Sequence, residues 1–276
     1  MINAVGNRMT REIARQASLA DALERLQIQI STGKRLQRMS DDPVAARRIQ
    51  TIGTTQASMA SWATNIKTAQ AQASQADGVL KSTSDLLVRA RELTLSASSD
   101  TASPADRATI AAELKTLADQ IDGLAATRDS NGEALFSAGA ARVVRFDSDI
   151  SFAAVPSAAD TFVIGGNSLS TSIRDIAAAV AAGDKAAIDA GLTTLTGAVD
   201  HVANQNAAIG LSAGRLERIG DSLEARGIEI ADERQSVEET DLSTAIAQLN
   251  AQELTLSAAQ AAFAKINRQT LFDLLT

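Results

Sequence analysis

Between residues 188 and 237 an apolar residue returns at every seventh position: Ile188, Leu195, Val202, Ile209, Leu216, Leu223, Ile230 and Val237. Seven residues are two turns of α-helix, so the ladder keeps one stripe of side chains facing one partner. Strands repeat every two residues and cannot produce it. A helix of about 50 residues rising 1.5 Å per residue is ~75 Å long. A second ladder, Ile52, Met59, Ile66, Ala73, Leu80 and Leu87, has the same period and needs a partner of the same kind. The alternate seam positions Asn206, Ala213, Gly220 and Gly227 are small or polar, which lets two helices approach closely. The expected fold class is mainly α: a long antiparallel coiled-coil rod formed by the N- and C-terminal halves, with a small β insertion in the middle.

Composition agrees with narrow helical seams rather than a broad core. Aromatic residues make up 3% of the 276 residues, Tyr is absent, and there are only three prolines. The net charge of −7 and a pI of about 4.9 argue against a general nucleic-acid footprint. No cysteine is present, which excludes disulfides and thiolate metal sites. The start "MINAVGNRMTREIARQ" lacks the apolar core of a secretory signal, and no run of apolar residues is long enough to span a membrane. If the chain is exported, it is expected to leave without a cleaved signal.

The ladders are interrupted at informative places. Leu19, Leu23, Leu26 and Ile30 line one helical stripe that ends at Gly33. The stretch "ISTGKRLQRMSDDPVAARR" then reads as a loop between helices. Arg35, Arg38, Asp41, Asp42 and Pro43 are its defining residues, with Asp42 as helix cap and Pro43 in the first turn. Capping is preferred to a metal-binding Asp41–Asp42 pair. Near the other end the ladder slips by five, from Val237 to Leu242, and continues through Leu249, Leu256 and Phe263, with Ile246 beside it. Such a slip marks a bend or a change of partner. If the chain folds back on itself, this slip and the 33–43 loop lie at the same level. The terminal "TLFDLLT" places Leu271, Phe272, Leu274 and Leu275 in an apolar cluster unusual for a free end. Residues 1–40 carry seven basic and three acidic residues, whereas residues 235–276 carry two and five, so the two ends are complementary in charge.

In the middle, Ser103, Pro104 and Asp106 predict a capped helix start, followed by Ile110, Leu114, Leu117, Ile121 and Leu124 on one face. Residues 136–166 hold four of the six phenylalanines and switch to short β-like runs, predicting two or three strands in one hairpin or meander. Ser172, three residues before Asp175, predicts the next helix start. Gly183–Asp184 predicts a helix end and a new cap. The expected organisation has a terminal assembly domain of residues 1–40 with 236–276. A helical rod of 41–135 with 167–235 carries the β segment 136–166.

No catalytic constellation can be assembled. His201, the single histidine, has no second His or Cys with which to hold a metal and reads as a solvated helix-face residue. "RDSNGE" lacks the spacing and closing glutamate of a calcium loop. Asp147 and Asp149 are spaced for one strand face, and Gly165–Gly166 lacks the rest of a phosphate loop. An enzyme is not expected, nor a cofactor.

Over nearly its whole length the chain resembles the bacterial flagellin family. The resemblance is carried, in order, by "STGKRLQRMSDDPVAA", "LLVRARELTLSASSDTASPADRATIAAEL", "AAIGLSAGRLERI" and "DLSTAIAQLNAQELTLSAAQAAFAKINRQTLFDLL". Within the family, "SDDPVAA", "TRDSNGEALFSAG" and the "LFDLL" ending are more similar to the hook-associated branch at the hook–filament junction than to filament-forming members. The short middle departs from many members of that branch, so a filament flagellin is the alternative. The resemblance implies export through the flagellar type III apparatus and assembly into a helical tube outside the cell. It implies as partners copies of the chain itself, other axial proteins of the flagellum and an export chaperone, with neither nucleic acid nor membrane insertion. The subunit-contacting residues would be Leu19, Leu23, Leu26, Ile30, Leu242, Ile246, Leu249, Leu256, Phe263, Leu271, Phe272, Leu274 and Leu275. A signalling coiled-coil hairpin is the alternative from another class, and the Phe-rich β segment counts against it.

Overall fold

In the computed structural model, residues 2–99 and 102–273 are described, with side chains at residue 7 and over 9–99 and 102–265. The described elements begin with α1 (Ile2–Thr32), α2 (Pro43–Ala97) and α3 (Pro104–Ala125). A short-element region follows, with β1 (Val143–Arg145), β2 (Ser151–Ala153), α4 (Ala158–Phe162), β3 (Val163–Ile164) and β4 (Asn167–Ser168). The chain ends with α5 (Leu169–Ala182), α6 (Lys185–Glu238) and α7 (Leu242–Asp273). These elements group into two units, residues 1–56 with 228–276 and residues 57–227. The mainly helical class with small β pieces is the one that the heptad ladders predict.

In the 57–227 unit the ladders do the burying. Ile66, Ala73, Leu80 and Leu87 on α2 are at most 3% exposed, and Ile188, Leu195, Val202, Ile209 and Leu216 on α6 at most 2%. Helices α3 and α5 pack on each other and add Leu114, Ile121, Ile173 and Val180 to the same core. Helix α3 begins as expected, in a reciprocal capping box: the Asp106 N–H donates to Ser103 Oγ, and the Ser103 N–H donates to Asp106 Oδ2. Helix α5 starts earlier than expected. Ser168, not Ser172, caps it by accepting from the Thr171 N–H, and Ser172 lies inside the helix. Gly183 closes α5 in the left-handed conformation at φ 73°, as its position after the last apolar turn predicts.

The β segment is two hairpins instead of one sheet. β1 pairs antiparallel with β2, and β3 with β4. A Ser157-capped turn of helix, α4, separates them, which the alternation of apolar residues does not reveal. Gly165 and Gly166 form the β3–β4 turn with φ of 60° and 90°, a geometry that non-glycine residues adopt only with strain. Aromatics anchor both pieces: Phe136 meets Phe162 edge-on at 5.0 Å, and Phe146 lies 4.7 Å from Phe152. Arg215 of α6 stacks 4.3 Å from the Phe152 ring centre, Arg226 pairs with Asp147, and Asn65 Nδ2 donates to the Arg145 carbonyl at 2.9 Å. The β1–β2 hairpin is thereby clamped between side chains of α2 and α6.

Candidate assembly interface

Helices α1 and α7 pack on each other in the unit formed by the chain ends. Their direction follows from the loop ends: the Thr240 N–H donates to the Gly33 carbonyl at 3.0 Å, so α1 finishes where α7 starts and the pair is antiparallel. Leu23 and Leu26 are 8% exposed and Ala245 is 4%. Leu19, Ile30, Leu249, Leu256 and Phe263 are half-buried, so the seam is thin. Leu242 and Ile246 stand 48% and 46% exposed. Leu271 and Phe272 belong to α7, but their side chains, like Leu274 and Leu275 as a whole, lie outside the described residues. Met9, Ile13, Ile28 and Leu254 extend the exposed apolar set beyond the residues that periodicity singled out.

Two seam positions that the ladder reading passed over are polar. Gln16 and Gln252 each bury one amide atom, Nε2 and Oε1 respectively, with no hydrogen-bond partner among the described residues. An unmet amide in an apolar seam costs stability, and such groups commonly fix helix register. Their heptad phase marks them in the sequence, but only the burial shows that they lack partners.

The 33–43 loop and the 238–241 break are laced together, at the level that the phase slip suggests. The Arg35 N–H donates to the Glu238 carbonyl at 2.8 Å, its guanidinium reaches the Val237 carbonyl at 3.3 Å, and Lys34 pairs with Glu238 at 3.7 Å. Asp42 is the cap it was read as: Oδ1 accepts from the Val44 and Ala45 N–H groups at 3.1 and 3.0 Å. The Ala45 N–H is the main cause holding this carboxyl below the usual range. It acts against desolvation, the next largest influence, and with help from Arg35, 3.2 Å away. Asp41 folds back to accept from the Arg38 N–H at 2.8 Å. Asp241 caps α7, and the Thr244 hydroxyl donating at 2.7 Å is the first cause of its lowered pKa. Arg48 pairs with Glu233, and Arg234 Nη1 donates to Gln56 Oε1 at 3.0 Å.

The remaining polar candidates are structural. Asp129 of "RDSNGE" is buried and accepts from the Asn131 and Glu133 N–H groups and from Gln72, which makes it a turn-forming carboxylate. His201 is only half-exposed, and its Nε2 lies 2.8 Å from the Asp160 carbonyl. It ties α6 to α4, a partner 41 residues away that no local pattern reveals. Asp147 sits in the β1–β2 turn and not on a strand face. No group of His, Cys, Asp or Glu among the described residues is arranged to hold a metal.

The profile described as the bacterial flagellin N-terminal helical region matches residues 3–165, and that of the C-terminal helical region matches residues 192–275. The chain belongs to the bacterial flagellin family. Members of this family are structural and not catalytic. Among curated relatives, flagellar hook-associated protein 3 of Escherichia coli K12 is 35% identical over 109 residues, 40% of this chain and 34% of that protein. The protein of the same name from Salmonella typhimurium is 33% identical over 119 residues, 43% of this chain and 38% of its own length. The matched stretch thus spans little more than a third of either relative. Among solved structures, a flagellar hook-associated protein from Vibrio parahaemolyticus superposes with a TM-score of 0.65 at 20% identity, covering 72% of this chain and all of that one. Xanthomonas campestris FlgL superposes at 0.58 with 13% identity, covering 67% and 99%. At these identities the structures establish the shared fold.

Proposed function

We propose that this flagellin-family chain is a structural component of the bacterial flagellum that links hook to filament by axial assembly of its terminal helices. One observation carries the assembly reading: α1 and α7 bury only a thin seam together and leave Leu242, Ile246 and Leu254 at 48%, 46% and 73% exposure. A pair of helices with apolar side chains on its outer flanks gains further burial from neighbouring subunits. The matched stretches of the two hook-associated proteins support the junction over the filament. In this reading residues 1–40 and 236–276 form the inner layer of the tube. The rod is formed by 41–135 with 167–235 and bears the 136–166 segment. Leu19, Leu23, Leu26, Ile30, Leu249, Leu256 and Phe263 hold the terminal helices together. Leu242 and Ile246 contact other subunits, a role that the reading also gives to the terminal Leu271, Phe272, Leu274 and Leu275. The partners are copies of the chain and the adjoining axial proteins, reached by export with a dedicated chaperone.

Immunogold labelling of intact flagella tests the location. A single spot between hook and filament supports the junction role. Label along the entire filament makes the chain a filament subunit, and absence of label from flagella overturns the assignment.

A further inference from the structure

A groove of about 590 Å³ runs between α2 and α6 in the 57–227 unit. Met59, Ile66 and Leu223 line its apolar floor, and it is open because Gly220 and Gly227 put no side chains into it. A methyl added at Gly220 would stand 3.7 Å from Ile66 Cγ2, and one at Gly227 3.9 Å from Met59 Cε. The α6 wall carries Glu217, Asp221 and Glu224, spaced four and then three residues apart and so aligned on one face, while Lys67 is the one cation of the α2 wall, so the lining stays net acidic. None of these three carboxylates forms an ion pair among the described residues.

The complementary surface lies at the 38–47 corner. Met39 and Val44 are each 73% exposed, the highest exposure of any large apolar residue in the loop and its flanks. Lys34, Arg35 and Arg48 are committed to Glu238, Asp42 and Glu233. Arg38 and Arg47, which bracket Met39 and Val44, have no carboxylate partner among the described residues, and Arg47 Nε donates only to the Pro43 carbonyl. Two apolar side chains between two uncommitted arginines match an apolar groove whose three uncommitted carboxylates outnumber its single lysine, Lys67.

Resting on the assembly reading above, we infer that the groove receives the 38–47 corner of a second copy of this chain. Met39 enters over Gly220 and Gly227, while Arg38 and Arg47 meet Glu217, Asp221 and Glu224. The two surfaces differ, so the contact is head-to-tail, and repeated around an axis it joins successive copies of the chain into one assembly. The charges set orientation and encounter rate, so the contact weakens as salt rises.

Charge exchange between chains tests this. One variant carries Arg38→Glu and Arg47→Glu; the other carries Glu217→Lys, Asp221→Lys and Glu224→Lys. Sedimentable assembly of either variant alone is expected to fall about tenfold or more against the natural sequence. An equimolar mixture regains it, because each reversed corner finds a reversed groove and each natural corner a natural groove. As a check independent of the charge variants' folding, Met39→Cys and Ala63→Cys are placed in separate copies of a chain that has no other cysteine. Mild oxidation of the mixture gives a disulfide-linked dimer of the two chains. Assembly of the natural sequence with neither rescue nor dimer overturns the groove contact and leaves the assembly reading standing. A disulfide that closes within one chain carrying both cysteines assigns the groove to its own corner and also overturns it. A natural sequence that stays monomeric under all assembly conditions overturns both readings.

Discussion

Glycines at helix contacts separate two physical situations. At Gly191 a Cβ would lie 2.7 Å from Ile176 Cγ1, near the base of a branched side chain that is itself 5% exposed. Gly191→Ala is therefore expected to destabilise the protein by about 1–3 kcal/mol in urea denaturation, since the overpacking exceeds the gain in helix propensity. At Gly220 the nearest atom is 3.7 Å away, an ordinary contact, so Gly220→Ala should instead stabilise by about 0.5–1 kcal/mol. Opposite signs from one substitution at two helical glycines of the same helix check the packing directly. The buried amide of Gln252 makes a third case at this scale. Gln252→Leu removes an unmet polar group from the α1–α7 seam and should raise the midpoint of thermal melting; a lowered midpoint would show that the amide has a partner.

Among the elements, capping explains where helices begin better than periodicity does. The Ser103 box is reciprocal, and Ser103→Ala should cost about 1 kcal/mol, read as a lower urea midpoint with unchanged slope. Several caps and clamps depend on ionised aspartates. Asp42 and Asp241, held chiefly by the Ala45 N–H and the Thr244 hydroxyl, are shifted below the usual range. At Asp147 burial opposes ionisation most strongly, but the Arg226 and Ser148 hydrogen bonds together with the Arg226 charge outweigh it and hold the pKa down. For a depressed carboxyl, the stabilisation is fully present above the unfolded value and disappears as pH falls through the folded one. Stability should thus be flat through neutral pH and drop below about pH 4, the ordinary aspartate value. Asp147→Asn should reduce the steepness of that acid drop; an unaltered acid limb would remove the Arg226 clamp from the account.

For the molecule, the two units differ in what holds them. The 57–227 unit has a continuous core in which Leu80, Leu87, Leu114 and Ile173 are wholly buried, so Leu80→Ala should cost about 2–5 kcal/mol. The unit of the chain ends has one thin seam, so amide hydrogens of α1 and α7 should exchange faster than those of residues 66–90. Equal protection would contradict the thinness of that seam. Sequence alone determined the long helices, because a seven-residue recurrence sustained over many turns has no other physical use. It determined the loop at 33–43 and the cap at Asp42 because proline, glycine and aspartate act on their own backbone, and the break before Leu242 because the ladder slips by five there. What it could not determine was the division of residues 136–168 into two hairpins around α4, or the partner of His201 on α4. Nor could it show that Met39 and Val44 stand uncovered beside two arginines while Gly220 and Gly227 open a groove. Those depend on which distant side chains arrive at the same place, and only the folded chain decides that.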